Sequence, residues 1–130
     1  MNSRHCIMVV DREKDAHQLL NSTLETEGFD TIVVTDSATT LTQLHQAGPD
    51  LIIFDSLTGE EETYQELEHI RRNSDVPIII LTPRYDPENL RKAFLLGADD
   101  YVHKPFGTKS LIARIRARLR RYRAGAALVD

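Results

Sequence analysis

Five short apolar runs alternate along the chain with longer segments whose apolar residues recur at helical spacing. The runs are rich in β-branched residues, which is typical of strands covered on both faces by helices. The pattern predicts strands at 6–10, 31–34, 51–54, 78–81 and 101–103, and helices at 15–27, 37–47, 62–72, 87–96 and 108–121. Strict alternation of strand and helix predicts right-handed crossovers between parallel strands, hence a three-layer, doubly wound α/β domain with a five-stranded parallel sheet.

Residues that end or start helices support these boundaries. Glycine follows the first, second and fourth predicted helices, at Gly28, Gly48 and Gly97. Helices often end in a left-handed residue, and glycine adopts that conformation without a Cβ clash. The Asp86-Pro87 pair is typical of an N-cap followed by proline in the first turn, and Asp36 or Ser37 is expected to cap the second helix.

Composition limits the class of protein. The chain has 130 residues, 41% of them hydrophobic and 28% charged, which suits one globular domain with a single core. We expect a domain over 1–122 and the start of a linker or a C-terminal tail over 123–130. No apolar stretch reaches the length of a signal peptide or a membrane helix, so we expect a cytoplasmic protein without membrane contact. Cys6 is the single cysteine, which predicts a buried strand thiol and no intramolecular disulfide.

The net charge of −4 conceals an asymmetry along the chain. Half of the 16 basic residues lie between Lys104 and Arg123, while all 20 acidic residues lie elsewhere. Blocks of one sign can mark a nucleic-acid partner, but the solvated face of a helix is the commoner cause. Because this charge falls on the last predicted helix, outside its apolar stripe, we expect no direct nucleic-acid contact by this domain.

Polar residues follow four of the predicted strands directly, at Asp11, Asp55, Thr82 and Lys104. The carboxyl ends of parallel strands share one edge of the sheet, and residues there line a common crevice. Two carboxylates in one crevice favour a hard cation or a shared proton. The sequence has no glycine-rich phosphate loop after the first strand, no Gly-x-Ser-x-Gly turn and no paired metal-ligand spacing among its five histidines.

Four segments together resemble the response regulator receiver domain. They are Val-Val-Asp at 9–11, Pro-Asp-Leu-Ile-Ile-Phe-Asp at 49–55, Val-Pro-Ile-Ile-Ile-Leu-Thr at 76–82 and Gly-Ala-Asp-Asp-Tyr-Val-His-Lys-Pro-Phe at 97–106. The resemblance covers residues 4–121, and its spacing needs no gap between Asp55 and Lys104. It implies the flavodoxin-like strand order 2-1-3-4-5, which sets the first and third strands side by side.

The resemblance implies a role for each matching residue. Asp55 would be the phosphoacceptor and a sensor histidine kinase the donor, so the chain would be a signalling domain and not an enzyme with a separate substrate. Mg²⁺ would be held by Asp11, Asp55 and the backbone carbonyl of Leu57. Thr82 and Lys104 would contact the phosphoryl oxygens, a task that suits a hydroxyl donor and an ammonium.

The resemblance also implies a switch and an output surface. Tyr101 matches the aromatic residue whose ring turns inward when the threonine is drawn towards phosphate, which biases a surface at the fourth helix, fifth strand and fifth helix. In regulators that carry a winged-helix DNA-binding domain, this face forms a dimer. Its charged positions correspond here to Asp99, Asp100, Arg114 and Arg121. We therefore expect a homodimer through this face and an effector domain in a longer parent chain.

Arg12 departs from the family pattern at the implied metal site. Receivers usually have two acidic residues in succession after the first strand, whereas this chain has Asp11-Arg12-Glu13. Two unit charges about 5 Å apart, at an effective dielectric constant near 20, interact with an energy of roughly 3 kcal/mol. A guanidinium in place of a carboxylate repels the ion where the carboxylate would attract it, so we expect Arg12 to weaken Mg²⁺ binding. Two alternatives stay open. Arg12 pairs with Asp55 in place of the metal, or it points to solvent while Glu13 or one of the glutamates at 60–62 compensates.

Three functional classes follow from these residues. The first is a phosphoaccepting switch, and the second is a phosphorylation-independent, receiver-like interaction module in which Arg12 replaces the metal. The third is an aspartate-nucleophile phosphohydrolase, because Asp11, Thr82 and Lys104 also resemble the order of groups in haloacid-dehalogenase-type enzymes. That family expects an aspartate where Glu13 stands, and a cap domain that this chain does not provide.

Overall fold

The computed structural model describes residues 4–11, 18–55, 60–83 and 86–129. Strands and helices alternate through them in the predicted order. The strands are β1 (Cys6–Val10), β2 (Asp30–Val34), β3 (Leu51–Asp55), β4 (Ile78–Thr82) and β5 (Asp100–His103). The helices are α1 (Gln18–Thr26), α2 (Ser37–Ala47), α3 (Glu60–Asn73), α4 (Pro87–Leu95) and α5 (Thr108–Val129). Residues 15–17, where we predicted the start of the first helix, lie outside the described residues.

The five strands form one parallel sheet in the order β2-β1-β3-β4-β5. This confirms the predicted three-layer, doubly wound fold and the strand order that the family resemblance implied. The central strands β3 and β4 are buried along their whole length because helices cover both faces of the sheet. Residues of these strands therefore alternate between two apolar layers.

The two layers are distinct clusters of buried side chains. On one face Met8, Ile52 and Ile78 pack with Leu44, Leu67, Ile70 and Ala93 of α2, α3 and α4. On the other face Ile7, Ile53 and Ile79 pack with Leu20, Leu24, Leu111 and Ile115 of α1 and α5. Both layers hold the carboxyl ends of the strands in fixed register, which is what positions the site.

Helix boundaries follow the predicted chemistry closely. Asp36, and not Ser37, caps α2, where its carboxylate accepts a hydrogen bond from the Thr39 N–H at 2.7 Å. Asp86 caps α4 with Pro87 in the first turn. The glycines after α1, α2 and α4 have positive φ angles, of 94° at Gly28, 56° at Gly48 and 117° at Gly97.

The predicted end of the last helix at residue 121 is wrong. Helix α5 runs from Thr108 to Val129, 22 residues in all. It extends past residue 121 because the sequence after Arg121 contains no proline and is rich in alanine. Gly125 lies within this extension and costs about 1 kcal/mol relative to alanine, which does not by itself end a helix. Among the described residues no helix is both long and apolar enough to cross a membrane.

Candidate functional site

The sheet register brings the four predicted polar residues to one edge. Asp55 and Thr82 are the last residues of β3 and β4, and Asp11 and Lys104 directly follow β1 and β5. Val10 pairs with Phe54 in the β1–β3 ladder, so Asp11 and Asp55 leave adjacent strands at the same level. All four residues therefore lie at the carboxyl ends of the parallel strands, the edge at which doubly wound sheets bind ligands.

Three of these side chains are buried although they are polar. Asp11 is 1% exposed, Thr82 is 3% exposed and Asp55 is 8% exposed. A buried carboxylate is costly unless opposite charge or hydrogen bonds compensate it. Each of these buried polar groups therefore needs a partner within the fold.

Lys104 provides the compensation for Asp55. Its ammonium donates a hydrogen bond to Asp55 Oδ1 and forms an ion pair with it, across 49 residues of sequence. The Lys104 side chain is only 20% exposed, so the pair is largely shielded from water. The backbone N–H of Lys104 also donates to the carbonyl of Thr82 at 2.8 Å, which joins the ends of β4 and β5. The structure therefore brings Asp55, Thr82 and Lys104 together, as we predicted.

The groups at this edge include the ligand type of a hard cation. Among the described side chains there are two carboxylates, Asp11 and Asp55, and one ammonium, that of Lys104. Carboxylate oxygens are the ligands that Mg²⁺ prefers, and the donor set fits that ion. Among the described residues no group of three or more metal-ligating side chains occurs. Arg12, Glu13 and Leu57 lie outside the described residues, as do the side chains at 60–62.

Tyr101, the predicted switch residue, is packed inward. It is 8% exposed and belongs to the apolar layer under α4, where it joins Ile80 and Ala93 and the partly buried Leu90. Its strand neighbour in β4 is Ile80, two residues before Thr82. Tyr101 thus lies in the apolar layer that joins β4 and β5 to helix α4.

The predicted dimer residues occupy different environments. Asp100 is buried, and its Oδ1 accepts a hydrogen bond from Arg114 Nη1 at 2.7 Å. Asp99 is hydrogen-bonded within its own chain. Its Oδ2 accepts one hydrogen bond from the Ile78 N–H at 2.8 Å and another from Arg71 Nη2 at 3.0 Å. Arg121 is exposed on α5. Nothing in the sequence pattern indicates that Asp99 has partners in its own chain, since Arg71 lies 28 residues away.

Two further contacts near the site were missed by the sequence reasoning. His103 Nε2 lies 3.0 Å from the backbone oxygen of Pro83, beside Lys104 and Thr82. Tyr64 on α3 donates to Asn89 Oδ1 in the first turn of α4 at 2.9 Å. Tyr64 lies outside the four motif segments, and His103 lies inside one without a role of its own in the resemblance. Each contact depends on tertiary neighbours that spacing along the chain does not reveal.

Cys6 lies at the opposite end of β1 and is partly buried. Burial raises the pKa of its thiol, and the negative charges of Asp50 and Asp30 raise it further. A raised pKa lowers the thiolate fraction at neutral pH, and thiolate is the nucleophilic and metal-binding form. Cys6 therefore stays mainly in the thiol form at neutral pH.

Comparisons with known proteins show which family this sequence is similar to. A family model described as the response regulator receiver domain matches residues 7–116. The DNA-binding response regulator MtrA of Mycolicibacterium smegmatis is 40% identical over 118 residues, which cover 91% of this chain and 52% of that protein. The phosphate regulon transcriptional regulatory protein PhoB of Escherichia coli is 36% identical over 118 residues, which cover 88% of this chain and 52% of that protein. The chain thus spans about half the length of these relatives.

Solved structures show the same likeness in three dimensions. The receiver domain of Francisella response regulator 1452 superposes with a TM-score of 0.81 at 28% sequence identity. The match covers 92% of this chain and 99% of that one. The whole fold, and not one motif, is shared with that receiver domain.

Proposed function

We propose, from the premise that the chain belongs to the response regulator receiver domain family, that Asp55 is its phosphoacceptor and that a sensor histidine kinase is its phosphoryl donor. Receiver domains of two-component systems act in general by phosphorylation of an aspartate by a kinase. The observation that carries the assignment to Asp55 is its buried contact with Lys104, beside Thr82 and one strand from Asp11. Because the relatives of this chain are response regulators, we also propose that it is located in the cytoplasm.

The geometry supports a direct transfer to the Asp55 carboxylate. A carboxylate oxygen attacks phosphorus, so that a P–O bond forms while the P–N bond to the kinase histidine breaks. The electron pair of that bond stays on the ring nitrogen, which then takes a proton. Lys104 releases Asp55 Oδ1 and pairs with a phosphoryl oxygen as a point charge, and the Thr82 hydroxyl donates a hydrogen bond to another.

Receiver domains generally bind Mg²⁺, and we propose that Asp11, Asp55 and the Leu57 carbonyl would hold it here. When bound, the ion supplies positive charge between the carboxylates and the incoming phosphoryl oxygens. Arg12 adds a positive charge next to Asp11. We therefore propose weaker metal binding than in receivers with two consecutive acidic residues.

The output is proposed to pass through Thr82 and Tyr101 to the face formed by α4, β5 and α5. Thr82 ends β4, and Tyr101 packs in the apolar layer below α4 beside Ile80, two residues before Thr82. We propose that a displacement of the hydroxyl towards phosphate changes the space available to the ring. A two-state surface of this kind suits a homodimer. The relatives are about twice as long as this chain, which supports the proposal of an effector domain in a longer parent chain.

One alternative function is supported by a specific residue. Arg12 could replace the metal by pairing with Asp55, which would make the chain a receiver-like interaction module that works without phosphorylation. The phosphohydrolase alternative has less support, because the matching family uses the aspartate that ends the third strand and not the one after the first.

Treatment with acetyl phosphate and Mg²⁺, followed by intact mass measurement, tests the proposal. Wild type should gain the mass of one phosphoryl group, Asp55→Asn should gain none, and the exposed-site control Asp75→Asn should behave like wild type. A gain only after Arg12→Asp would favour the interaction module. No gain in wild type or in Arg12→Asp, or an unchanged gain in Asp55→Asn, would overturn the assignment.

A further inference from the structure

His103 connects the ends of β4 and β5, where Thr82 and Lys104 lie. It is the last residue of β5, its side chain is exposed, and its Nε2 lies 3.0 Å from the carbonyl oxygen of Pro83. In the sheet it is the direct register partner of Thr82. The imidazole therefore spans from the residue before Lys104 to the residue after Thr82.

The exit from β4 is restrained at two successive positions. Pro83 fixes its own φ near −65° and confines the preceding residue, Thr82, to extended conformations. The Pro83 carbonyl is then held from the side by His103. One residue earlier, the Lys104 N–H donates to the Thr82 carbonyl at 2.8 Å. The backbone that directly follows the Thr82 side chain is thus tied to the end of β5 at two successive carbonyls.

We propose that His103 is a positioning residue, which fixes the Thr82 hydroxyl relative to Lys104 for contact with the phosphoryl group. The inference rests on the proposed function of Asp55. A hydroxyl stabilises a phosphoryl oxygen only over a narrow range of hydrogen-bond distances. A displacement of the hydroxyl by about 1 Å therefore lowers the rate of phosphorylation. His103 acts on this distance through the backbone of Pro83 and does not itself touch the transferred group.

The chemistry of the contact defines which substitutions can replace it. The Pro83 oxygen only accepts hydrogen bonds, so Nε2 must carry a hydrogen, as it does in one neutral tautomer and in the imidazolium. Glutamine places an amide N–H₂ at about the distance of Nε2 from the backbone. Asparagine carries the same amide at the shorter distance of Nδ1, and leucine has similar bulk without a donor.

The first measurement is the rate of phosphorylation by acetyl phosphate with Mg²⁺. At saturating acetyl phosphate, His103→Leu and His103→Asn should be slower than wild type by about three- to tenfold, the range expected for one lost hydrogen bond. His103→Gln should stay within about twofold of wild type. His69→Leu, which replaces an exposed histidine on α3, is the matched control and should not change the rate. Equal rates in all variants, or a glutamine variant as slow as the leucine variant, would overturn the inference.

A second measurement does not depend on phosphorylation. Amide hydrogen exchange at Lys104 reports the hydrogen bond to the Thr82 carbonyl. Exchange should be at least about threefold faster in the leucine and asparagine variants and near the wild-type rate in the glutamine variant. Unchanged exchange in the leucine variant would contradict the role of His103, whether or not Asp55 takes a phosphoryl group. Failure of wild type to be phosphorylated, with exchange as expected, would instead count against the proposed function alone.

Discussion

Arg71 Nη2 on α3 lies 3.0 Å from the carboxylate of Asp99, in the turn that precedes β5. The same guanidinium donates to the carbonyl of Gly97 at 2.6 Å and to that of Val76 at 2.9 Å. Asp99 in turn accepts from the Ile78 N–H. This network joins the end of α3, the start of β4 and the α4–β5 turn, at the opposite end of the sheet from Asp55.

Gly97→Ala should destabilise the fold more than Gly48→Ala. Both glycines have positive φ, which costs an alanine about 1 kcal/mol. At Gly97 a Cβ would also lie 2.8 Å from Arg71 Cγ and Nε, whereas at Gly48 nothing lies within 4 Å. Because Arg71 would have to give up its carbonyl partners, we expect a loss of about 2–3 kcal/mol at Gly97. Urea unfolding measures both variants, and equal losses would show that the Arg71 network contributes nothing.

The Asp100–Arg114 pair permits a clean test of the dimer prediction. If this pair forms between protomers, Asp100→Arg and Arg114→Asp should each weaken the homodimer, because like charges face one another. An equimolar mixture should recover dimer, since each mixed interface then holds two opposite-charge pairs. Sedimentation velocity with beryllofluoride and Mg²⁺ measures the dimer fraction. If the mixture does not recover the dimer, the 2.7 Å hydrogen bond between Arg114 and Asp100 forms only within one chain, and the predicted contact between protomers is wrong.

Arg12→Asp should strengthen Mg²⁺ binding. The substitution replaces a guanidinium by a carboxylate next to Asp11 and restores the acidic pair of ordinary receivers. We expect affinity to rise at least tenfold, or about 1.4 kcal/mol. Isothermal titration calorimetry of the two proteins measures the difference, with Arg118→Asp on α5 as a charge-matched control away from the site. A wild type that already binds as tightly as the variant would show that Arg12 points away from the metal.

The Cys6 thiol should react slowly with alkylating agents, and its contribution to the free energy of unfolding should be lost at high pH. Burial, with the charges of Asp50 and Asp30, raises its pKa in the folded state above the unfolded value of about 8.5. The contribution to stability is therefore complete below the unfolded pKa and is lost as pH rises through the folded pKa. Iodoacetamide labelling from pH 7 to 10 should show the raised value. The high-pH decline in stability should be smaller in Cys6→Ser, and a labelling rate equal to that of the unfolded chain would contradict the raised pKa.

The fold could be predicted from the sequence because local signals agree with one another. Short β-branched runs define every strand to within one residue, and positive φ at Gly28, Gly48 and Gly97 follows from their places after helices. The edge occupied by Asp55 and Lys104 then follows from parallel topology alone. The last helix was predicted too short because Gly125 and the small residues around it suggest a linker, although alanine also favours helix.

Most of the contacts that escaped prediction join residues that are 20 or more positions apart in the sequence. Arg71 is followed by Arg72 in the last turn of α3. Two consecutive arginines indicate a face of the helix in contact with solvent, and they do not indicate hydrogen bonds to backbone carbonyls. His103 is a lone histidine without ligand spacing, and its acceptor is a backbone oxygen that any residue provides. Only the register between β4 and β5 places the imidazole beside Pro83.

Borohydride trapping tests most directly whether Asp55 is the residue that accepts phosphate. Reduction of the acyl phosphate formed with acetyl phosphate and Mg²⁺ converts the modified aspartate to homoserine, which peptide mass spectrometry locates. The structure, with Lys104 on Asp55 Oδ1, predicts homoserine at position 55 and nowhere else. Homoserine at position 11, or no homoserine in a wild type that has gained a phosphoryl group, would contradict it.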